Sequence, residues 1–236
     1  MEELFTRYGS GGAGVRGFIK RIRFFQKKYA WLVVVGSAKL FKRTMDITAS
    51  AAGLVVLSPL FLLVALLIKL TDKGSVFFWQ TRVGCWGQEI RFPKFRSMVR
   101  NAEGLKKSLL DQSHHKDSKT FKMKKDPRVT WIGRIIRKTS IDELPQLWCI
   151  LKGEMSLVGP RPPVPGEVAE YTLEDRRRLD VTPGLTCIWQ VSGRGDIPFP
   201  KQVELDVQYI ESRSLWLDIK LLLKTIPAVI FGKGAY

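Results

Sequence analysis

Apolar positions along this chain fall into blocks of different period, and each block predicts its own element. The longest run, Ile47–Ile68, is bracketed by Asp46 and Lys69. Wound as a helix at 1.5 Å per residue it would reach about 30 Å, the thickness of a bilayer core. A shorter run, Tyr29–Ala38, is about half a span. In Leu215–Phe231 the residues Leu217, Leu221, Leu222 and Ile226 recur at helical spacing with Lys220 and Lys224 among them, and Pro227 is expected to end the turn. Ser75–Val83 and Gln88–Phe95 are short apolar and aromatic runs joined by Gly84-Cys85-Trp86-Gly87, the pattern of a β-hairpin. Trp131–Lys138 carries a stripe of Ile132, Ile135 and Ile136. Ile141–Leu151 sets Leu144, Leu147, Trp148 and Leu151 at i, i+3, i+4 and i+7, which predicts one amphipathic helix. Val203–Ser212 is a further helical stretch. The polar, lysine-rich Asn101–Lys125 reads as a helix plus a mobile loop, and Asp126-Pro127 as a turn. Gly159–Gly166, with Pro160, Pro162, Pro163 and Pro165, reads as a stiff extended segment.

The long run is interrupted at its middle by Ser58-Pro59, where proline removes a helical hydrogen bond and crowds the preceding turn. Both flanks are basic: Arg16, Lys20, Arg21, Arg23, Lys27, Lys28, Lys39, Lys42 and Arg43 before it, Lys69 and Lys73 after. Short basic flanks stay cytoplasmic, so both ends belong on one side, a condition that a single crossing fails. A helix that enters, breaks at Ser58-Pro59 and returns meets it, with the Ser58 hydroxyl bonding a carbonyl freed at the break. The pattern leaves a kinked transmembrane helix and a buried core helix open as alternatives. Lys42, Arg43 and Asp46 would then stand at the membrane interface. Leu215–Phe231 reads either as a helix lying in that interface or as one packed on the protein's own core. Gly17–Lys28, mixing basic residues with Phe18, Ile19, Ile22, Phe24 and Phe25, suits an anionic leaflet.

Composition narrows the partners. The 236 residues carry 39 Lys+Arg against 22 Asp+Glu, a formal charge of +17, which calls for an anionic partner: nucleic acid, anionic lipid or a phosphorylated substrate. A hydrophobic share of 45% excludes full disorder, and the length favours one compact domain with an appendage. Cys85, Cys149 and Cys187 form neither a disulfide framework nor a CxxC zinc pattern. The two histidines, His114 and His115, are adjacent in a polar stretch, which excludes HExxH and argues against a Ser-His-Asp triad.

The stretch Arg137-Lys138-Thr139-Ser140-Ile141-Asp142-Glu143-Leu144-Pro145 is where chemistry concentrates. Asp142 and Glu143 open the predicted amphipathic helix, and Pro145 suits its first turn, so Asp142 is expected at or near the N-cap. Capping and complementing the macrodipole would explain both carboxylates without any reaction. Against that reading, a helix N-terminus attracts phosphate, Arg137 lies just upstream, and Arg161 is fixed in Pro160-Arg161-Pro162. Beside such cations, carboxylates would hold Mg²⁺ against a diphosphate or attack phosphorus directly. Lys94 and Arg96 at the hairpin's end add charge. Gln190 and Arg194, in Gln190-Val191-Ser192-Gly193-Arg194-Gly195, form a loop able to approach a nucleotide, although no P-loop or GxGxxG occurs.

With these residues in order, the chain resembles the monotopic phosphoglycosyl transferases, also called bacterial sugar transferases or polyprenyl-phosphate hexose-1-phosphate transferases. The resemblance runs from Lys42 to about Phe231. It is carried by Lys42-Arg43-x-x-Asp46, Ser58-Pro59, Phe78-x-Gln80-x-Arg82-x-Gly84, Lys94-Phe95-Arg96-Ser97-Met98, Asp126-Pro127-Arg128 and Arg137–Gln146. Downstream it continues through Met155-Ser156-Leu157-Val158-Gly159-Pro160-Arg161-Pro162, Pro183-Gly184-Leu185-Thr186 and Trp189-Gln190-Val191-Ser192-Gly193-Arg194. It implies a mixed α/β fold: a small helix-rich domain with a β-hairpin, a re-entrant membrane helix and interfacial amphipathic helices. The division expected is a basic extension over 1–40, the re-entrant helix over 41–72 and a cytoplasmic catalytic domain over 73–236.

The activity implied is transfer of a sugar-1-phosphate from a UDP-sugar to undecaprenyl phosphate or another polyprenyl phosphate, releasing UMP. It would occur at the cytoplasmic face of a bacterial inner membrane rich in anionic lipid, and would begin a surface glycan: O-antigen, capsule or exopolysaccharide. Asp142 would be the nucleophile, and Glu143 would assist with Mg²⁺ or protons, so both are candidate metal ligands. Lys94, Arg96, Arg137, Arg161, Gln190 and Arg194 are the expected substrate contacts. A homodimer stays open, and nucleic acid is not an expected partner. Cys149 departs from an expected asparagine and Cys187 from a frequent glycine. A membrane-tethered basic protein that binds nucleic acid or lipid without catalysis would explain the charge but not the Asp-Glu pair or Pro-Arg-Pro. A lipid-phosphate phosphatase would need no nucleotide sugar.

Overall fold

The break expected at Ser58-Pro59 splits the long apolar run into two helices, α1 (Val15–Val56) and α2 (Ser58–Asp72), bent by 57°. Pro59 has no N–H to give the carbonyl four residues back, and that carbonyl, Val55 O, instead accepts the Ser58 hydroxyl at 2.8 Å. The bent pair is apolar and long enough to pass together as a membrane element, whereas no single helix among the described residues does. On α2, Val64 and Ile68 are buried while Leu62, Leu63, Leu66 and Leu70 on the other side are exposed. The computed structural model describes residues 15–102, 104–105 and 126–231. Most of the helix and loop expected over Asn101–Lys125, with His114 and His115, lies outside the described residues. Internal contacts divide the chain into two compact units, Met1–Met45 and Asp46–Tyr236.

Beyond α2 the hairpin forms as its pattern predicts. Strands β1 (Phe77–Val83) and β2 (Glu89–Phe95) pair antiparallel, Phe77 opposite Phe95 and Val83 opposite Glu89, around a 3₁₀ turn at Cys85–Gly87. Pro93 fits in β2 because the sheet has only two strands, so its missing N–H lies on an outer edge. Helix α3 (Trp131–Lys138) starts at Thr130, whose hydroxyl accepts the Gly133 N–H at 3.0 Å. Gly133 is required there, since a Cβ would collide with the Ser97 carbonyl oxygen.

The single amphipathic helix expected over Ile141–Leu151 is two elements. A 3₁₀ helix spans Ile141–Gln146 and α4 spans Leu147–Lys152. Ser140, at φ 56° just before the first, and Pro145 inside it account for the tighter winding. Asp142 is therefore inside a 3₁₀ turn, not at an N-cap. Strand β3 (Ser156–Val158) follows and later pairs in parallel with β4 (Gly184–Thr186). Between them lie α5 (Pro165–Ala169) and α6 (Leu173–Arg176), so the stiff proline segment turns helical at Pro165. Helices α7 (Ile188–Ser192), α8 (Phe199–Ser212) and α9 (Leu215–Phe231) complete the fold, and Pro227 lies within α9. The observed architecture is mixed α/β, with nine α-helices and two small sheets among the described residues.

The main core gathers Ile90, Phe92, Leu147, Ile150, Met155, Val158 and Tyr209, so the hairpin, the segment after the Asp-Glu pair and α8 share one apolar centre. Leu217 and Leu222 pack against this core and Leu221 is buried in it, so three of the stripe's four residues face the protein and the fourth, Ile226, does not. Trp216, Leu223 and Ile226 on the same helix remain exposed. Asp46, grouped by sequence with Lys42 and Arg43 at an interface, is instead buried. Its Oδ1 accepts the N–H of Leu157, the middle residue of β3, at 3.0 Å, because a buried backbone donor needs a partner. Lys42 and Arg43 are half-buried on α1.

The bend is testable. Spin labels at Ile47 and Leu70 would stand about 34 Å apart on a continuous helix and about 4 Å closer across the observed break. Replacing Ser58 by Ala and Pro59 by Leu should recover the longer separation in pulsed dipolar spectroscopy. An unchanged distance would reject this account of the bend.

Candidate active site

Three segments distant in sequence converge on the Asp-Glu pair. The first is the 3₁₀ helix Ile141–Gln146, which carries both carboxylates in its first turn. The second is β2, from which Lys94 Nζ reaches Glu143 Oε1 at 2.8 Å. The third is Pro160-Arg161-Pro162 after β3, where flanking prolines restrict the backbone. From it Arg161 Nη2 donates to Glu143 Oε1 at 2.9 Å and Nη1 to Oε2 at 3.3 Å.

The two neighbouring carboxylates are thereby made different. Burial alone would raise the proton affinity of Glu143, but Arg161 and then Lys94 hold it well below the usual carboxylate range. For Asp142 burial is the dominant cause and pushes its pKa up to about 6; Lys94 opposes the rise and Glu143 adds to it. Asp142 is 8% exposed, with no side-chain hydrogen bond among the described residues. Lys94 is itself lowered by burial, with Glu143 opposing. Arg161 is raised, its burial outweighed by Glu143.

The remaining expected contacts divide. Arg194 Nη2 donates to the Ser140 hydroxyl at 2.6 Å, which ties the loop after α7 to the turn that presents the dyad. Both residues hold left-handed backbone, φ 54° at Arg194 and φ 56° at Ser140. Arg137 acts on Asp142 through charge. Arg96 is not brought to the dyad. It bonds the Ser75 hydroxyl and pairs with Asp72 at 3.6 Å, where α2 ends. Gln190 is not brought there either; its Nε2 donates to the Leu185 carbonyl at 3.0 Å.

Arg82 and Gln80, absent from the expected contacts, underlie the site. Arg82 Nη1 donates to the Pro162 carbonyl at 3.0 Å, and the next residue, Val83, donates its N–H to the Pro163 carbonyl at 2.9 Å. Their signal in the sequence was the spacing Gln80-x-Arg82, which puts two polar side chains on one face of an otherwise apolar strand.

Oxygen donors suit a hard cation. Among the described residues no three His, Cys, Asp or Glu side chains converge, so the protein alone offers no metal cage. Mg²⁺ instead commonly takes one or two carboxylates and completes its shell with water and phosphate oxygens. Among the described residues Asp142 has no side-chain hydrogen bond and Glu143 Oε2 has one long contact, which fits that donor set.

Residues 37–232 match the family model described as bacterial sugar transferase. The chain is 44% identical to "Galactosyl transferase CpsE" of Streptococcus agalactiae over 92% of its own length and 49% of the relative's. Against "Exopolysaccharide production protein ExoY" of Rhizobium meliloti the identity is 41%, covering 83% of this chain and 88% of that protein. "Undecaprenyl-phosphate galactose phosphotransferase" of Salmonella typhimurium is 44% identical over 85% of this chain and 42% of its own length. The chain thus spans about half of the streptococcal relative, less than half of the Salmonella one and most of ExoY.

The raised Asp142 has a consequence for stability. Its pKa of about 6 exceeds its ordinary value of 3.8, so the native state binds the proton more tightly than the unfolded chain does. Stability is therefore lost as pH rises from about 4 through about 6. Asp142→Asn, which mimics the protonated form, should raise Tm at pH 7.5, by a stability gain of up to about 3 kcal/mol. The gain should vanish near pH 4. A thermal scan in which wild type and variant melt together at pH 7.5 would refute the assignment.

Proposed function

We propose, from the premise that this chain belongs to the bacterial sugar transferase family, that it moves a sugar-1-phosphate from a UDP-sugar to undecaprenyl phosphate and releases UMP. The observation that carries this reading is the asymmetry of the dyad: Glu143 is locked between Arg161 and Lys94, while Asp142 stands beside it with no side-chain hydrogen bond among the described residues. A carboxylate that neither caps nor pairs, next to cations fit for phosphate, is arranged to attack.

The reaction runs as two displacements at one phosphorus. An Asp142 oxygen attacks the sugar-linked phosphorus, the bond to the bridging diphosphate oxygen breaks, and UMP leaves with that electron pair. An oxygen of the lipid phosphate then attacks the same phosphorus, and the bond to Asp142 breaks to restore the carboxylate. Lys94, Arg137, Arg161 and Arg194 lower the repulsion between an anionic nucleophile and an anionic diphosphate. Glu143, kept ionised, holds Lys94 and Arg161 in register for that task. Mg²⁺ bound by Asp142 and Glu143 would neutralise diphosphate charge.

Location belongs to the same proposal. The bent α1–α2 pair, basic on both flanks, enters one leaflet and returns, and the protein sits on the cytoplasmic face of a bacterial inner membrane. Support comes from the Ser58 bond to Val55, which satisfies backbone at the break, and from the exposed leucines of α2 and Trp216, Leu223 and Ile226 of α9. The basic stretch of α1, with Lys20, Arg21, Arg23, Lys27 and Lys28, meets anionic lipid.

Mixed with a UDP-sugar alone, wild-type protein should release UMP and gain the mass of a phosphosugar on Asp142. Asp142→Asn should do neither. The acid limb of kcat/KM should fall near pH 6, because the nucleophile acts only when ionised. UMP release that survives in the variant, or an adduct on another residue, would overturn the proposal. A panel of UDP-sugars in the same assay identifies the sugar.

A further inference from the structure

We propose that Arg82 is a positioning residue of this site: it holds the carbonyl of Pro162 so that Arg161 stays on Glu143 and leaves Asp142 as the reactive carboxylate. The inference rests on the reaction proposed above and adds a residue to it.

The case begins with the hairpin. Gln80 and Arg82 project from one face of β1, and the register sets Gln80 opposite Phe92 and Arg82 opposite Ile90. On β2 the same face carries Phe92 and Lys94, so four side chains stack across two strands. Phe92 is fully buried. The Arg82 guanidinium carbon lies 5.3 Å from its ring centre and Lys94 Nζ lies 5.5 Å from it. One aromatic ring therefore carries both a cation that touches Glu143 and a cation that does not.

Arg82 is also oriented. Gln80 Oε1 accepts from its Nε at 3.0 Å and its Nη2 at 2.7 Å, which turns Nη1 toward the Pro162 carbonyl. With Val83 N–H on the Pro163 carbonyl, two consecutive carbonyls are pinned to one strand. Arg161 is the residue directly before that pinned stretch. A cation buried next to another cation is costly, and both burial and Arg161 lower the proton affinity of Arg82. A lysine would supply the charge with one donor point; only the fork serves Gln80 and Pro162 together. The arrangement is thus built for geometry.

The test separates positioning from bulk stability. In Arg82→Gln, Arg161 should loosen from Glu143 and shift from where it would meet the diphosphate. UMP release should slow by about 10- to 100-fold, the scale of a misplaced contact. The loss should fall mainly on kcat rather than on KM. Arg82→Lys should lose less of kcat, and Gln80→Leu, which leaves Arg82 in place but unoriented, should do likewise. In a double-mutant cycle on Tm, the losses from Arg82→Gln and Arg161→Gln should be less than additive, a readout that needs no turnover. A loss of Tm that simply adds to that of Arg161→Gln, with kcat unmoved, would overturn the proposal. If Arg82→Gln does not fold, Arg82→Lys and Gln80→Leu decide it, and an unmoved kcat in both rejects positioning. Absence of UMP and adduct in wild type would instead defeat the reaction, while the double-mutant cycle would still report on Arg82.

Discussion

Glu143 is an ionised carboxylate at the meeting point of three chain segments, and its pairing with Lys94 and Arg161 is the contact on which the rest depends. A buried charge left unpaired is costly enough to reorganise its surroundings, so β2, the Pro-Arg-Pro segment and the 3₁₀ turn are obliged to keep their relative placement. In the reaction we propose, the same pairing selects between the two adjacent carboxylates. Lys94 and Arg161 bond Glu143 but reach Asp142 through charge alone, so burial, the largest influence there, still raises the Asp142 proton affinity against Lys94, Arg137 and Arg161. For the attack we propose, a raised Asp142 is better matched to neutral pH than either residue would be in water.

A second constraint joins this cluster to the bent helices. Asp46 stands after Lys42-Arg43 in sequence, yet its carboxylate is spent on the Leu157 N–H, 111 residues away, at β3. Strand β3 leads within a few residues to Arg161. The start of the apolar run and the cationic edge of the site therefore share one covalent path and one buried hydrogen bond. Removing the Asp46 carboxylate would leave a buried N–H unsatisfied, at a cost of about 1–3 kcal/mol.

Local chemistry made much of this legible in the sequence. Ser58-Pro59 announced the break because proline's missing donor is a property of the residue, and the rescue of Val55 follows from it. The hairpin was legible from alternation and its glycine turn, and the Asp-Glu pair with Lys94 and Arg161 from the density of charge. What escaped were long-range commitments. Arg96 resembles Lys94 in sequence, two residues further on and just past the end of β2, but Asp72 and Ser75 capture it. Gln190 is taken by Leu185, and Asp46 by Leu157. Each is a polar side chain whose partner is chosen by tertiary packing, which periodicity does not encode. The single helix expected over Ile141–Leu151 failed for a local reason, because apolar spacing cannot distinguish 3₁₀ from α winding over one turn.

That 3₁₀ turn also explains where the site stores strain. Ser140 precedes it in left-handed backbone, and Arg194 is left-handed as well, at about 1–2 kcal/mol for each such residue. These two strained residues hydrogen-bond one another through the Arg194 guanidinium and the Ser140 hydroxyl. Glycine at either position would relieve the backbone but delete one partner of the bond. The retained strain therefore fixes the direction in which the turn presents Asp142, while the Arg82 fork fixes the cation opposite Glu143. Both devices give up stability for orientation, and the displacement at phosphorus that we propose is the kind of chemistry that repays it.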